Sequence, residues 1–287
     1  MKTIAFIGLG HMGRPMAARL AAAGYALRVY DKAARARLAG AIVCGSPAEA
    51  ASGAQVLVTM LPDGKAVRAA LLGRNGAAAA LQRGCAVIDM SSSDPVATRK
   101  LGAELASRGI DLLDAPVSGR VDGARAGTLT IMAGGKAAKL RKVRPVLDVL
   151  GKKIFHAGPL GAGHAVKALN NYIAAAGTIA AFEAVIVGRA FGLDPALMTE
   201  IFNASAGRNS TTENKVKQHV LSGAFASGFA LALMAKDVGI AADLARSLGV
   251  NVPLTRKTRD LWRAAGKRLS SGADHTEIYR YLEALKR

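Results

Sequence analysis

The chain has 287 residues, 51% of them hydrophobic and 21% charged, enough for one or two domains with sizeable cores. Its two cysteines, Cys44 and Cys85, sit in separate segments without metal-ligand spacing, so no disulfide framework is expected and a reducing, cytoplasmic setting is. The formal net charge of +19 raises nucleic acid as a partner, but Lys and Arg are spread along the chain without a long basic run, so the charge reads as a basic surface that also attracts anionic cofactors and acids.

Met1 to Leu9 is apolar but is broken at once by Gly10, His11 and Arg14, which gives the wrong length and flanks for a signal peptide. Thr3–Ile7 reads as a strand instead. It leads into Gly8-Leu9-Gly10-His11-Met12-Gly13, a G-x-G-x-x-G loop that opens a helical pattern. The next apolar run, Tyr25 to Tyr30, ends at Asp31. A glycine loop between strand and helix, with an acid about 20 residues on, is a dinucleotide fingerprint. Gly8 allows the tight turn, Gly10 lets a pyrophosphate approach the backbone, and Gly13 lets the helix pack on the sheet. The helix N-terminus then offers free N–H groups to the phosphates. Asp31 is placed to bond a ribose diol and to repel the 2′-phosphate of NADP, so NAD is the expected cofactor. NADP is the alternative, if Lys32, Arg35 and Arg37 form a phosphate pocket. The other open reading is a structural turn with no ligand.

Further short apolar runs follow at Ile42–Cys44, Val56–Met60, Ala86–Met90, Asp111–Asp114, Thr128–Ala133 and Lys153–His156. Alternating with helical patterns, they predict a mainly parallel sheet. Between Asp111 and Ala133 there is little room for a helix, so part of the sheet there is expected to be antiparallel. Leu61-Pro62-Asp63 and Ser91-Ser92-Ser93-Asp94-Pro95 each follow a strand-like run and are candidates to line the nicotinamide end of a cofactor. Ser92 could equally be a helix N-cap. The segment Asp114-Ala115-Pro116-Val117-Ser118-Gly119 predicts a turn with exposed N–H groups and one hydroxyl, suited to a carboxylate, or else a plain Pro-Gly turn.

After the glycine-rich stretch Gly158–Gly163 the pattern changes. His164 to Gly192 is one long helical pattern without proline, spanning roughly 43 Å. It is apolar enough to suggest a membrane span, but Lys167, Asn170, Asn171 and Glu183 argue against one. A buried helix joining two domains, or two subunits of a dimer or tetramer, fits better. Lys167 and Asn171 lie at i and i+4 on one face. A lysine there is either a snorkelling surface residue or a buried base with a lowered pKa. The rest is helical, and Lys236-Asp237 falls within the pattern Phe229–Leu248, where an exposed ion pair is the plain alternative. The expected domains are 1–162, dinucleotide-binding, and 163–287, a helical substrate and oligomerisation domain. The five histidines show no ligand spacing, so no metal is expected.

Four segments, in order and along almost the full length, resemble the β-hydroxyacid dehydrogenase family. They are Gly8-Leu-Gly-His-Met-Gly-Arg-Pro-Met-Ala, Asp114-Ala-Pro-Val-Ser-Gly, Gly161-Ala-Gly-His-Ala-Val-Lys-Ala-Leu-Asn-Asn171 and Lys236-Asp-Val-Gly-Ile-Ala. The resemblance implies an α/β fold, with an N-terminal Rossmann-type dinucleotide-binding domain and an all-helical C-terminal domain joined by the long helix. It implies that Lys167 is the catalytic lysine, that Ser118, Gly119 and Asn171 hold the substrate, and that Lys236 closes the site beside the cofactor. The loop Gly8–Gly13 with Leu61, Pro62 and Ser92 would hold the cofactor. Two positions depart from the family. Arg120 stands where a second glycine is usual, and either pairs with a further anionic group on the substrate or is one more basic surface residue. Ser91-Ser92-Ser93 replaces a frequent Ser-Thr-Ile, which keeps the hydroxyl.

The expected activity is hydride transfer between a nicotinamide cofactor and a small β-hydroxy acid or its semialdehyde, with Lys167 as general acid/base. One alternative is an imine-reductase-like enzyme, which usually carries a different residue in place of the lysine. Another is a non-catalytic, nucleic-acid-associated module on the same fold, against which Lys167, Asn171 and Ser118 argue together. No membrane partner is expected, and a homo-oligomer is.

Overall fold

A computed structural model describes residues 2–33 and 38–285, so Arg35 and Arg37 of the expected phosphate pocket lie outside the described residues. The chain divides into two compact units, Met1–Lys167 and Ala168–Arg287. The division falls past the expected one at 162/163, because the first turn of the long helix is hydrogen-bonded into the first unit.

The first unit alternates strands and helices. It runs β1 (Thr3–Ile7), α1 (Gly13–Ala22), β2 (Ala26–Tyr30), β3 (Ala41–Val43), α2 (Pro47–Ala51), β4 (Val56–Thr59), α3 (Gly64–Leu72), β5 (Ala86–Asp89), α4 (Pro95–Ala106) and β6 (Asp111–Asp114). Then come β7 (Val117–Ser118), α5 (Arg120–Ala126), β8 (Leu129–Gly134), α6 (Ala137–Leu150), β9 (Gly151–Gly158) and the start of α7 (Ala162–Phe191). The sheet order is β3-β2-β1-β4-β5-β6-β8-β7, with β9 on β8. From β3 to β6 the strands are parallel, and the order turns back between β1 and β4, the switch point where open parallel sheets bind ligands.

The strands are short apolar runs because both faces are covered. Alternate residues take opposite sides. Phe6, Val58 and Ile88 pack with Met16 and Leu20 of α1 and Leu147 of α6. Ile7, Leu57 and Val87 pack with Val67, Leu71 and Leu105 on the other face. As expected, β8 is antiparallel to β6 and β7. The expectation of little room for a helix before β8 is corrected, since the seven-residue α5 fits there. Gly119 at φ 137 and Gly127 at φ 67 turn the chain sharply at its two ends, conformations open to glycine.

The second unit contains the rest of α7, α8 (Pro195–Ala204), α9 (Ser210–Asn214), a π-helical turn Val216–Leu221, α10 (Leu231–Ser247), α11 (Pro253–Arg268), a 3₁₀ turn His275–Glu277 and α12 (Ile278–Glu283). Among the described residues it holds no strand, only the bridge Ala230–Asp274. By length and composition alone α7 could cross a membrane. Its Ala175, Ile179, Phe182 and Val185 are instead buried with Val238, Trp262 and Ile278 in the core of this unit. A second apolar stripe of α7, with Ile173, Val187 and Phe191, is exposed.

Asp274 ties the Ser227–Phe229 turn before α10 to the 3₁₀ turn after α11. Burial opposes its ionisation, but donors outweigh burial. The His275 imidazole, 3.4 Å away, and hydrogen bonds from Thr276 and Ser227 favour the carboxylate, and its pKa falls far below the usual carboxylate range. The Gly228 and Phe229 amides also donate to it, at 2.9 and 3.2 Å. A depressed folded pKa adds stability that is fully present above the unfolded value of about 4 and is lost progressively as pH falls from there through the folded value. Asp274→Asn should therefore cost roughly 2 kcal/mol at neutral pH, and the gap to wild type should begin to narrow as pH falls below about 4. Thermal melts of both proteins from pH 3 to 7 check this; a pH-independent gap would contradict it.

Candidate active site

The loops after β1, β2, β4, β5 and β6 lie along one edge of the sheet, because these strands are parallel. Backbone bonds tie them together. Gly8 N donates to Tyr30 O at 2.9 Å, Met60 N to Ile7 O at 2.9 Å, and Ala115 N to Asp89 O at 2.7 Å. Gly8 has φ +101, and a Cβ there would lie 2.3 Å from Met60 O. A Cβ on Gly13 would lie 1.9 Å from Gly8 O, so strand and helix meet too closely for a side chain. Gly10 is different: a Cβ there meets nothing within 4 Å. Its openness is therefore not required by the chain's own packing, and it suits a pyrophosphate approaching the start of α1, whose first turn carries no acidic residue. Leu9 is buried, Met12 half-buried and His11 exposed.

Asp31 directly follows β2. Its Oδ2 accepts from Leu9 N at 2.5 Å and its Oδ1 from Ala33 N at 2.8 Å, so the acid is fastened to the glycine loop. Lys32 beside it is exposed. These residues fit NAD.

Further along the edge, Leu61 N donates to Ser91 Oγ at 2.9 Å, which joins the two loops expected at the nicotinamide end. The buried Asp89 at the end of β5 accepts from Thr59 Oγ1, Ser91 N and Ser93 Oγ at 2.9, 3.0 and 3.1 Å. Pro62 is exposed and Ser92 half-buried. Ser92 is not the helix cap; Asp94 caps α4, accepting from Ala97 N at 2.7 Å.

Ser118 ends β7, paired with Thr130, and Gly119 caps α5. Both belong to the β7 end of the sheet order, far from β2 and Asp31. Arg120 takes φ +55, a left-handed conformation rare outside glycine, and its side chain is 62% exposed, 3.9 Å from Asp122.

The start of α7 is fixed to β6. The buried Asp114 accepts from Gly161 N and His164 N, both at 2.8 Å. A Cβ on Gly163 would lie 2.1 Å from Met132 O, so only glycine lets the helix come this close. Lys167, half-buried, follows one turn later.

In the second unit, Asn171 Nδ2 donates to Asp237 Oδ2 at 2.5 Å. Lys236 Nζ lies 3.2 Å from Asp237 Oδ1, close enough for an ion pair but off the angle of a hydrogen bond. Asp237 thus brings Asn171 and Lys236 together. Its side chain is only 4% exposed, which corrects the exposed ion-pair alternative. Sequence reasoning passed over Asp89, Asp114, Asp237 and His164; the only signal was an acid or imidazole within otherwise apolar or glycine-rich runs. Among the described residues, no group of His, Cys, Asp and Glu is placed to hold a metal ion.

Residues 3–158 match the model for the NAD binding domain of 6-phosphogluconate dehydrogenase. Residues 161–282 match that for the NAD-binding region of NADP-dependent 3-hydroxyisobutyrate dehydrogenase. The chain is 40% identical to an NAD-dependent L-serine dehydrogenase of Pseudomonas aeruginosa, covering 92% of each. It is 38% identical to 2-(hydroxymethyl)glutarate dehydrogenase of Eubacterium barkeri, covering 94% of this chain and 91% of the relative. A solved structure of Mycobacterium tuberculosis 3-hydroxyisobutyrate dehydrogenase with L-serine is 35% identical, with a TM-score of 0.91, covering 98% of this chain and 99% of that one.

The fastening of Asp31 bears on the choice between NAD and NADP. A 2′-phosphate about 4 Å from the carboxylate would be opposed by up to roughly 4 kcal/mol at an effective dielectric near 20, less with exposure and salt. The kcat/KM for NAD should exceed that for NADP by about tenfold or more. Asp31→Asn, which keeps an acceptor for Leu9 N, should narrow the ratio. Equal efficiency of the wild type with NADP would show that nearby cations override Asp31.

Proposed function

The chain belongs to the β-hydroxyacid dehydrogenase family and is an NAD(P)-dependent dehydrogenase of CH–OH donors; from that premise we propose that it interconverts a small β-hydroxy acid and its semialdehyde, with Lys167 as general acid/base. The observation that carries this reading is the anchoring of α7 on Asp114. It sets the helix of Lys167 at the strand-end edge that also bears the glycine loop.

Bound NAD supplies the hydride acceptor. Lys167, as the free amine, takes the hydroxyl proton as the carbinol hydrogen leaves; in the reverse direction its ammonium returns the proton. The N–H groups and hydroxyl of Ser118 and Gly119 hold the substrate carboxylate. Within the second unit, Asn171, its amide held by Asp237, is assigned to the substrate and Lys236 to the cofactor by the family resemblance. The exposed stripe of α7 serves as the contact between copies in a homo-oligomer.

Arg120 marks the substrate class. A non-glycine residue at φ +55 gives up about 1 kcal/mol that glycine would not. Its ion pair with Asp122 is long and exposed. Strain kept beside a binding turn points to a role in binding. A guanidinium there suits a second anionic group on the substrate, and 2-(hydroxymethyl)glutarate, named for one relative, is a dicarboxylate.

Two substitutions test the reading. Lys167→Ala should lower kcat by about 10²- to 10⁴-fold while NADH affinity, read by fluorescence titration, changes little. Near-normal turnover would remove Lys167 from the chemistry. Arg120→Gly should relieve backbone strain, yet lower the ratio of kcat/KM between a dianionic and a monoanionic β-hydroxy acid. A lost charged hydrogen bond of about 1.5–3 kcal/mol corresponds to roughly 10- to 150-fold in that ratio. An unchanged ratio returns Arg120 to the surface.

A further inference from the structure

Behind the strand-end edge of the first unit lies a buried polar cluster that the chemistry above does not use. At its centre is His164, in the first turn of α7, with a side chain 0% exposed. Its Nε2 lies 3.1 Å from Ser91 O and 3.7 Å from Asp89 Oδ2. Its Nδ1 lies 2.8 Å from Thr98 Oγ1 and 3.9 Å from Asp114 Oδ2. Both carboxylates are themselves buried. An aliphatic side chain would fill this space without desolvating a polar ring, so filling space does not account for the imidazole.

The hydrogen bonds give its orientation. A carbonyl only accepts, so Nε2 carries the hydrogen that faces Ser91 O. Nδ1 pairs with the Thr98 hydroxyl, whose oxygen also lies 2.9 Å from the Asp94 carbonyl. Each of the three groups held by this residue belongs to a different element. Ser91 lies in the loop after β5, Thr98 is on α4, and Asp114 ends β6 and takes the His164 backbone N–H.

The chain of bonds continues toward the cofactor side. Ser91, whose carbonyl faces His164, takes the Leu61 amide on its own hydroxyl. The Leu61-Pro62 loop, the Ser91–Ser93 loop and the first turn of α7 are therefore linked by two consecutive hydrogen bonds through Ser91. Lys167 stands one turn beyond His164 on the same helix.

We propose that His164 is a positioning residue that locks the nicotinamide-side loops to the helix of Lys167, so that the hydride acceptor and the proton acceptor are held in register. This rests on the reading of Lys167 as the general acid/base and of the two loops as cofactor-lining. Misplacement of reacting groups by about 1 Å can cost on the order of 10² in rate.

The test uses the full-length enzyme and the variants His164→Leu, His164→Gln and Thr98→Val, with Lys167→Ala as reference. The readouts are kcat, KM for NAD, melting temperature, and the primary isotope effect with a hydroxy acid deuterated at the carbinol carbon. Rates are expressed per NADH-binding site. His164→Leu should lower kcat by about 10- to 100-fold, raise KM for NAD several-fold and enlarge the isotope effect as hydride transfer becomes limiting. His164→Gln, which can still donate to Ser91 O, should recover part of both losses. Thr98→Val should shift the same quantities less. A merely structural role would lower the melting temperature and the number of binding sites and leave the per-site kcat, KM and isotope effect at wild-type values; that result overturns the proposal. If His164→Leu does not fold, wild-type per-site constants in both His164→Gln and Thr98→Val overturn it. Full turnover in Lys167→Ala would instead overturn the assignment of the lysine, and is seen separately from any His164 result.

Discussion

A buried carboxylate at the end of β6 decides where the long helix begins. The first N–H groups of any helix lack partners within it, and its N-terminus carries partial positive charge. Asp114 answers both by accepting the Gly161 and His164 amides. The bareness of Gly163 lets the helix come near enough for this. Since β6 is bonded in register to β5, β5 to β4 and β4 to β1, the placement of α7 is carried by backbone bonds as far as the strand that leads into the glycine loop. Catalysis that needs two groups in register depends on such a rigid path more than on either group alone.

The glycine loop separates two kinds of demand. Gly8 and Gly13 are required by the chain itself, because a Cβ on either would collide with backbone oxygen. Gly10 meets no such neighbour, so the chain's own packing does not require its smallness. Asp31 stands between these cases. Each of its oxygens accepts one amide from the chain, and each carboxylate oxygen has a second lone pair for a ribose hydroxyl. The acid is thereby held in place by the glycine loop.

The second unit uses the same device with different residues. Asp237 is buried and holds Asn171 and Lys236 together, as Asp274 holds the Ser227–Phe229 turn to the 3₁₀ segment. In a low-dielectric interior a carboxylate is tolerated only when several donors meet it, and once met it fixes their directions strongly. Orientation of the polar residues in this enzyme is thus set from beneath by buried acids.

Much of the architecture is legible in the chain order of residue types. The parallel strands are visible because full burial demands short runs of Val, Ile and Leu, and α7 is visible because a helix this long runs without proline. The glycine loop and Asp31 carry their meaning locally, within one strand, one turn and one helix. The helix α5 was missed because two glycines compress it into a space too short for an ordinary helix signal. The burial of Asp114, His164 and Asp237 could not be read in the same way. Their partners lie 47 to 66 residues away, at Gly161, Thr98 and Asn171. By itself the sequence determined the fold class and the glycine turn between β1 and α1, since periodicity and local turn chemistry act between near neighbours. Only the tertiary structure decided which acids are buried and which loops they hold, because a buried charge is defined by the distant donors that folding gathers around it.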